Sequence, residues 1–161
     1  MTAGFVAVLL SSPVTARSQL LAAGATAVLT WRELRTCGEP DDAVAVLLDR
    51  PDPARPGGPA EQDRLNADLA AALTALSGLR ACEGAVVATT RPVTDTLKLV
   101  DAEGTLTGTA DRDEHRFLLT PIALRLRPLR DVAVELPDGP SPISVLTALA
   151  RRGATVVASA G

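Results

Sequence analysis

Apolar residues in this chain fall into short unbroken runs separated by stretches with helical periodicity. Residues 5–10 (FVAVLL), 43–48 (AVAVLL) and 84–88 (GAVVA) are continuous apolar runs of strand length, the pattern of strands covered on both faces. Further strands are predicted at 27–30, 97–100, 105–109, 132–136 and 154–158. Ser12 at an N-cap and Pro13 at the first helical position predict a helix that runs to about Ala23 and stops at Gly24. A second helix is predicted over 60–79, where Leu65, Leu69, Leu73 and Leu76 recur at spacings of four and three and form one apolar stripe. Ser141-Pro142 opens a last helix that Gly153 ends. Residues 50–59 (RPDPARPGGP) hold four prolines and two glycines, so they form a loop at the end of a buried strand.

Buried strands alternating with helices predict one α/β layered domain spanning 1–161, with a mainly parallel sheet. The strands at 97–100 and 105–109 flank Ala102-Glu103-Gly104, a hairpin signal that interrupts the alternation and projects from the body. The segment SPVTARSQLLAAGATAV (12–28) aligns without gaps to SPISVLTALARRGATVV (141–157). The shared residues are caps and strand formers, so the echo reads as a common helix–turn–strand grammar.

Composition narrows the function classes. The 161 residues are 47% apolar and 22% charged, which excludes disorder. Aromatics make up 2% (Phe5, Trp31 and Phe117), so the core must be aliphatic and no base-stacking nucleic-acid platform is expected. A net charge of −3 gives no broad attraction to nucleic acid or anionic membrane. Cys37 and Cys82, with the single His115, make no zinc motif, so no metal site is expected. The apolar start lacks a basic flank and no run reaches membrane-spanning length. A soluble, cytoplasmic protein is the expectation. Fifteen arginines stand against the single lysine, Lys98, which reads as base-composition bias of the source genome. The segment Leu124–Arg130 (LRLRPLR) reads as an amphipathic edge with solvated arginines, and His115 as a solvent-facing loop residue without a partner.

Three predicted strand ends carry polar clusters. Asp49, Asp52 and Arg55 follow the run at 43–48. Thr89, Thr90, Arg91, Thr94, Asp95, Thr96 and Lys98 follow the run at 84–88, and Asp111, Arg112 and Thr120 follow the hairpin. Ligands of open α/β sheets sit at such carboxyl ends. Guanidinium groups with hydroxyls suit a phosphate, and the carboxylates suit sugar-like hydroxyls or a cation. The same residues also suit solvated loop ends and caps.

Pro92-Val93-Thr94-Asp95-Thr96-Leu97-Lys98, then Asp111-Arg112, then Thr120-Pro121 resemble the second half of the 2-C-methyl-D-erythritol 4-phosphate cytidylyltransferases of isoprenoid-precursor biosynthesis. That family has P-V-x-D-T-[VIM]-K, a hairpin arm, D-R and T-P-Q, and the eight-residue step from Arg112 to Thr120 matches it. Asp52-Pro53-Ala54-Arg55-Pro56 looks like the family's D-A-A-R-P. The resemblance covers about 43–157 and implies a Rossmann-like nucleotidyltransferase fold. It also implies a homodimer through an arm at 97–120, and a methylerythritol-phosphate site at Asp52, Arg55, Thr96, Arg112 and Thr120.

The departures bear on activity. The family's first strand leads into a Gly-rich loop with Arg and Lys that cradles the triphosphate of CTP. Here Ser11-Ser12-Pro13-Val14-Thr15-Ala16-Arg17 has neither glycine nor lysine, and Pro13 lacks an N–H. Ile122 replaces the glutamine after Thr-Pro, Gly139-Pro140-Ser141-Pro142 stands in place of T-D-D, and the chain stops soon after its last strand. The resemblance implies a truncated, degenerate homologue that keeps the arm and binds a phosphorylated small molecule without turnover. Mg and CTP enter only if it is active. Two alternatives remain: an active enzyme with a nucleotide site rebuilt from Ser11, Ser12 and Arg17, and an interaction protein that docks through its arm.

Overall fold

The computed structural model describes residues 4–10, 17–49, 59–78 and 84–160. In chain order the elements are β1 (Phe5–Leu9), α1 (Arg17–Ala22), β2 (Ala25–Thr30), α2 (Trp31–Leu34), β3 (Val44–Leu48), α3 (Pro59–Gly78) and β4 (Ala85–Pro92). Then come β5 (Leu97–Val100), β6 (Leu106–Ala110), β7 (Arg116–Arg125), α4 (Leu126–Glu135), α5 (Pro142–Arg151) and β8 (Thr155–Ala160).

Six strands form one sheet in the order β2-β1-β3-β7-β4-β8, and β5-β6 form a separate antiparallel hairpin. β1 runs parallel to β2 and β3, and β4 parallel to β8. β7 alone runs antiparallel, between β3 and β4. The mainly parallel α/β sheet read from the buried runs is therefore present, with the hairpin outside it.

The period of two along each strand divides the core. Val6, Val8, Ala45, Leu47, Val86, Ala88, Ile122 and Leu124 face α2, α4 and α5, packing on Trp31, Leu129 and Leu149. Phe5, Ala7, Val46, Leu48, Val87 and Ala123 face the other way, onto Leu20 of α1 and Leu69 and Ala72 of α3. Two helical layers thus cover a sheet whose central strands are apolar on both sides. Leu73 of the α3 stripe also packs here; the side chains of Leu65 and Leu76, the helix start at Ser12-Pro13 and Cys82 lie outside the described residues.

Two expectations are corrected. Residues 132–136, read as a strand, lie in α4 and the Leu136 that caps it. Valine's strand preference loses there to period: Leu126, Leu129, Val132 and Ala133 share one helical face and are buried. The LRLRPLR segment is not an edge. It carries the chain from the central strand β7 into α4, burying Leu124, Leu126 and Leu129. Arg125 Nη1 donates to the Asp42 carbonyl at 2.7 Å, and Arg130 is bound on several sides. Both halves of the internal echo form a helix–glycine–strand unit: α1–Gly24–β2 and α5–Gly153–β8 each turn through a glycine, at φ 99° and 87°, which favours glycine at C′. The two strands so produced are the opposite edges of the sheet.

Candidate functional site at the carboxyl edge

Since β1, β3 and β4 run in one direction, their carboxyl ends share one edge of the sheet. β4 leaves that edge, the chain forms the β5–β6 hairpin, and β7 returns through the same edge. The hairpin proper spans Leu97–Ala110, whereas residues 116–120 already belong to β7 in the main sheet.

The register of β4 against β7 slips at this edge. Ala88 pairs with Ile122 but Thr89 pairs with Leu119, so Thr120 and Pro121 form a bulge, with a cis peptide between them. Bulges re-aim side chains next to functional sites. Here the Thr120 hydroxyl accepts from the Asp49 backbone N–H at the end of β3, 3.4 Å away. The bulge is held from below by Thr89, a buried polar residue whose Oγ1 donates to the Pro121 carbonyl at 2.8 Å.

The root of the arm brings together a second group. Arg112 Nη1 donates to the Thr94 carbonyl at 3.3 Å, and its Nε stands 3.9 Å from Asp113. Asp111 caps the short 3-10 turn Arg112–Glu114 by accepting from the Asp113 N–H at 3.0 Å. Thr96 is exposed one residue before β5. His115 does have a partner, contrary to the expectation from sequence: its Nδ1 lies 2.7 Å from the Asp111 carbonyl. A carbonyl can only accept, so Nδ1 carries the proton. Arg91 lies over the Phe117 ring at 4.9 Å, a pairing set by the β4–β7 register and invisible without it. On the arm, Lys98 Nζ donates to Thr109 at 2.9 Å.

Of the five residues carried over by resemblance, Thr96 and Arg112 lie at the arm's root and Thr120 lies in the bulge. Among the described residues no hydrogen bond joins the Thr120 pair to the Arg112 pair. Asp52 and Arg55 lie outside the described residues.

Beside this edge, Thr30 ends β2 and caps α2. The Glu33 carboxylate accepts from the Thr30 N–H at 2.8 Å and the Thr30 hydroxyl at 3.0 Å, while the Glu33 N–H donates back. The Thr30 amide first, and then its hydroxyl, hold the Glu33 carboxyl below the usual carboxylate range; Arg17 adds a smaller pull. Arg130, read from sequence as a solvated arginine, binds the Cys37 carbonyl at 2.7 Å and the Cys37 sulfur at 3.0 Å. The Cys37 contact, with Asp41 behind it, raises the Arg130 pKa further.

Chemically, the edge offers hydroxyls and guanidinium groups suited to a phosphorylated, hydroxyl-bearing molecule. Among the described residues no three of His, Cys, Asp and Glu converge as metal ligands, and no helix is long and apolar enough to cross a membrane.

No protein-family model matches the chain, and no curated protein does. Solved structures do. The 2-C-methyl-D-erythritol 4-phosphate cytidylyltransferase of Thermus thermophilus superposes with a TM-score of 0.65 at 18% identity, covering 96% of this chain and 87% of that one. A 4-diphosphocytidyl-2C-methyl-D-erythritol synthase gives 0.65 at 13% identity, over 100% and 90% of the two chains. The Francisella tularensis cytidylyltransferase gives 0.60 at 10%, over 98% and 90%. At such identities the likeness is one of fold: a mixed α/β domain with a mainly parallel six-stranded sheet and a protruding hairpin, the fold of the 2-C-methyl-D-erythritol 4-phosphate cytidylyltransferases.

Proposed function

We propose that this protein is a catalytically impaired relative of the methylerythritol-phosphate cytidylyltransferases, which binds a phosphorylated polyol and dimerises through its arm. The observation that carries this reading is the Thr120 bulge, which sets a hydroxyl on the end of β3 below the arm root that bears Arg112. Arg112 and Thr96 would bind phosphate oxygens, Thr120 would add a hydroxyl contact, and Asp52 and Arg55 would come from the loop after β3. Impairment is supported by the sequence after β1. Nucleotidyl transfer needs donors for the charge that develops on the departing pyrophosphate. SSPVTAR supplies neither a glycine-built cradle nor a lysine.

The arm supports the dimer. In the hairpin register, Leu97 pairs with Ala110 and Leu99 with Gly108 on one face and Lys98 with Thr109 on the other; past a register slip, Val100 pairs with Leu106. Leu99, Val100 and Leu106 are exposed, and an isolated two-stranded hairpin with exposed apolar side chains is marginal in water. A second copy would cover these side chains.

The test is thermal denaturation with methylerythritol phosphate and with CTP, alongside pyrophosphate release. Ligand at 100 times its Kd stabilises by about 2.7 kcal/mol, a rise of roughly 5–10 °C for a domain this size. The polyol phosphate should raise Tm, Arg112→Ala should abolish the rise, and pyrophosphate should stay at background. If no phosphorylated ligand moves Tm, the binding reading fails. Pyrophosphate release that disappears in Arg112→Ala would instead establish an active enzyme.

A further inference from the structure

We propose that the outer edge of β8 pairs antiparallel with the same edge of a second copy of this chain, so that the central sheet continues across a twofold axis. The two edges of the sheet are built differently. At β2 the register slips between Phe5 and Val6, Thr26 Oγ1 turns back to the Phe5 carbonyl at 3.2 Å, and the strand runs straight into capped α2. A bulge and an abrupt end are common ways of blunting an edge. β8 has neither. Its six residues, TVVASA, pair with β4 without a break in register and include no charge and no proline, and Val156 is exposed. Among the described residues no strand lies on its far side.

The hydrogen-bond parity identifies the groups on offer. The Thr155 N–H donates to the Gly84 carbonyl at 3.1 Å, so Thr155 faces β4. Successive residues of a strand alternate sides, which turns Val157 and Ser159 toward β4 and Val156, Ala158 and Ala160 outward. An antiparallel twofold centred on Val157 then lets Val156 of one copy and Ala158 of the other exchange both backbone bonds. It sets Thr155 opposite Ser159, a hydroxyl pair of the kind that stabilises cross-strand contacts.

Charge favours a second copy as occupant. An isologous contact brings each group close to its own symmetry mate's surroundings, so a charged edge would repel itself, whereas this one is uncharged. α5, which packs on β8, exposes Ile143, Thr147 and Ala150 at helical spacing, again without charge. Arg151 and Arg152 precede the strand, and the twofold sends the two copies' pairs to opposite ends of the contact. Antiparallel α5 helices would also set the positive end of each dipole toward the negative end of the other.

The proposal is independent of the ligand site and of the arm, so its experiment uses the full chain carrying Leu99→Ser and Leu106→Ser. Sedimentation over a concentration series should show a dimer. Amide hydrogen exchange by NMR should show Val156 and Ala158 slowed about tenfold or more as concentration rises, while Val157, bonded to β4, is protected throughout. Ala158→Pro removes only an outward N–H and should give monomers with Val157 still protected. If that variant does not fold, Val156→Lys, which sets like charges across the axis, should dissociate the dimer instead. The proposal is overturned if Val156 and Ala158 exchange freely at every concentration, if they are slowed only when an unrelated protein co-purifies, or if neither variant changes the mass.

Discussion

Replacing Leu106 of the arm with serine should loosen the proposed arm dimer while leaving the folded protomer nearly as stable. Leu106 is 67% exposed, so about two thirds of its side-chain burial is still available to a partner. Full burial of a leucine is worth about 1.5–3 kcal/mol, and the unburied share therefore about 1–2 kcal/mol. A twofold contact uses the residue twice, so Leu106→Ser should cost the dimer about 2–4 kcal/mol, a Kd roughly 30- to 900-fold weaker. Within the protomer the same substitution loses only the smaller buried share, under about 1 kcal/mol, so Tm should fall by less than about 4 °C. The measurement is sedimentation equilibrium in an Ala158→Pro background, where only the arm can join two copies, paired with a denaturation curve. An unchanged Kd would refute the reasoning, because it would place the association on a surface without Leu106. A large drop in Tm would refute it differently, by showing that the arm's leucines belong to the protomer's own core.

Arg130→Met keeps the aliphatic stem but removes the donors that tie α4 to the Cys37 and Glu39 carbonyls and to Asp41; a loss of about 2 kcal/mol, or roughly 4–8 °C in Tm, is expected by calorimetry. Thr89→Val deletes the 2.8 Å bond that holds the Pro121 carbonyl inside the protein. It should cost about 1–3 kcal/mol in urea unfolding, weaken polyol-phosphate binding through Thr120, and be rescued by Thr89→Ser. Glu33 has a folded-state pKa below its unfolded one, so its contribution is present above the unfolded value of about 4.3 and is lost as pH falls through the folded one. Stability measured between about pH 5 and pH 2 should therefore slope more steeply in the wild type than in Glu33→Gln, and equal slopes would remove the cap from the acid response.

The buried parallel strands were legible because continuous apolar runs report coverage on both faces, and residues 5–9, 44–48 and 85–88 occupy β1, β3 and β4. The arm was legible from its turn: Asp101 Oδ1 accepts from the Glu103 and Thr105 N–H groups, and Gly104 takes φ 86°. β7 and α4 were not, since their junction is a run of alternating leucines and arginines in which strand and helix periods both fit. The buried Leu129 and Val132, three residues apart, resolve that ambiguity only once the opposing layer is known. Thr120 was legible as part of a Thr-Pro motif, but its position against Asp49 depends on the β4–β7 register slip, a property of two strands at once. Arg130 was unreadable for the same reason: its acceptors lie about 90 residues away, in a segment with no regular structure.

The antiparallel strand is what ties these features together. Had β7 been parallel, the chain leaving β4 would have needed a crossover back to the amino edge. Running antiparallel, β7 lets the chain leave and re-enter at the carboxyl edge, so the excursion between β4 and β7 must stand above that edge as an arm. The same choice places the β7 bulge at the mouth of the sheet, where Thr120 meets the end of β3 and Thr89 anchors it from within. Arm and bulge are consequences of one topological decision, so they cannot drift apart without changing the sheet. A lineage that lost the nucleotide loop after β1 would still carry both, because that loop hangs from a different strand. The proposed pattern, a retained polyol-phosphate side and dimer arm beside an impaired nucleotide side, is therefore the separation that this connectivity makes easiest.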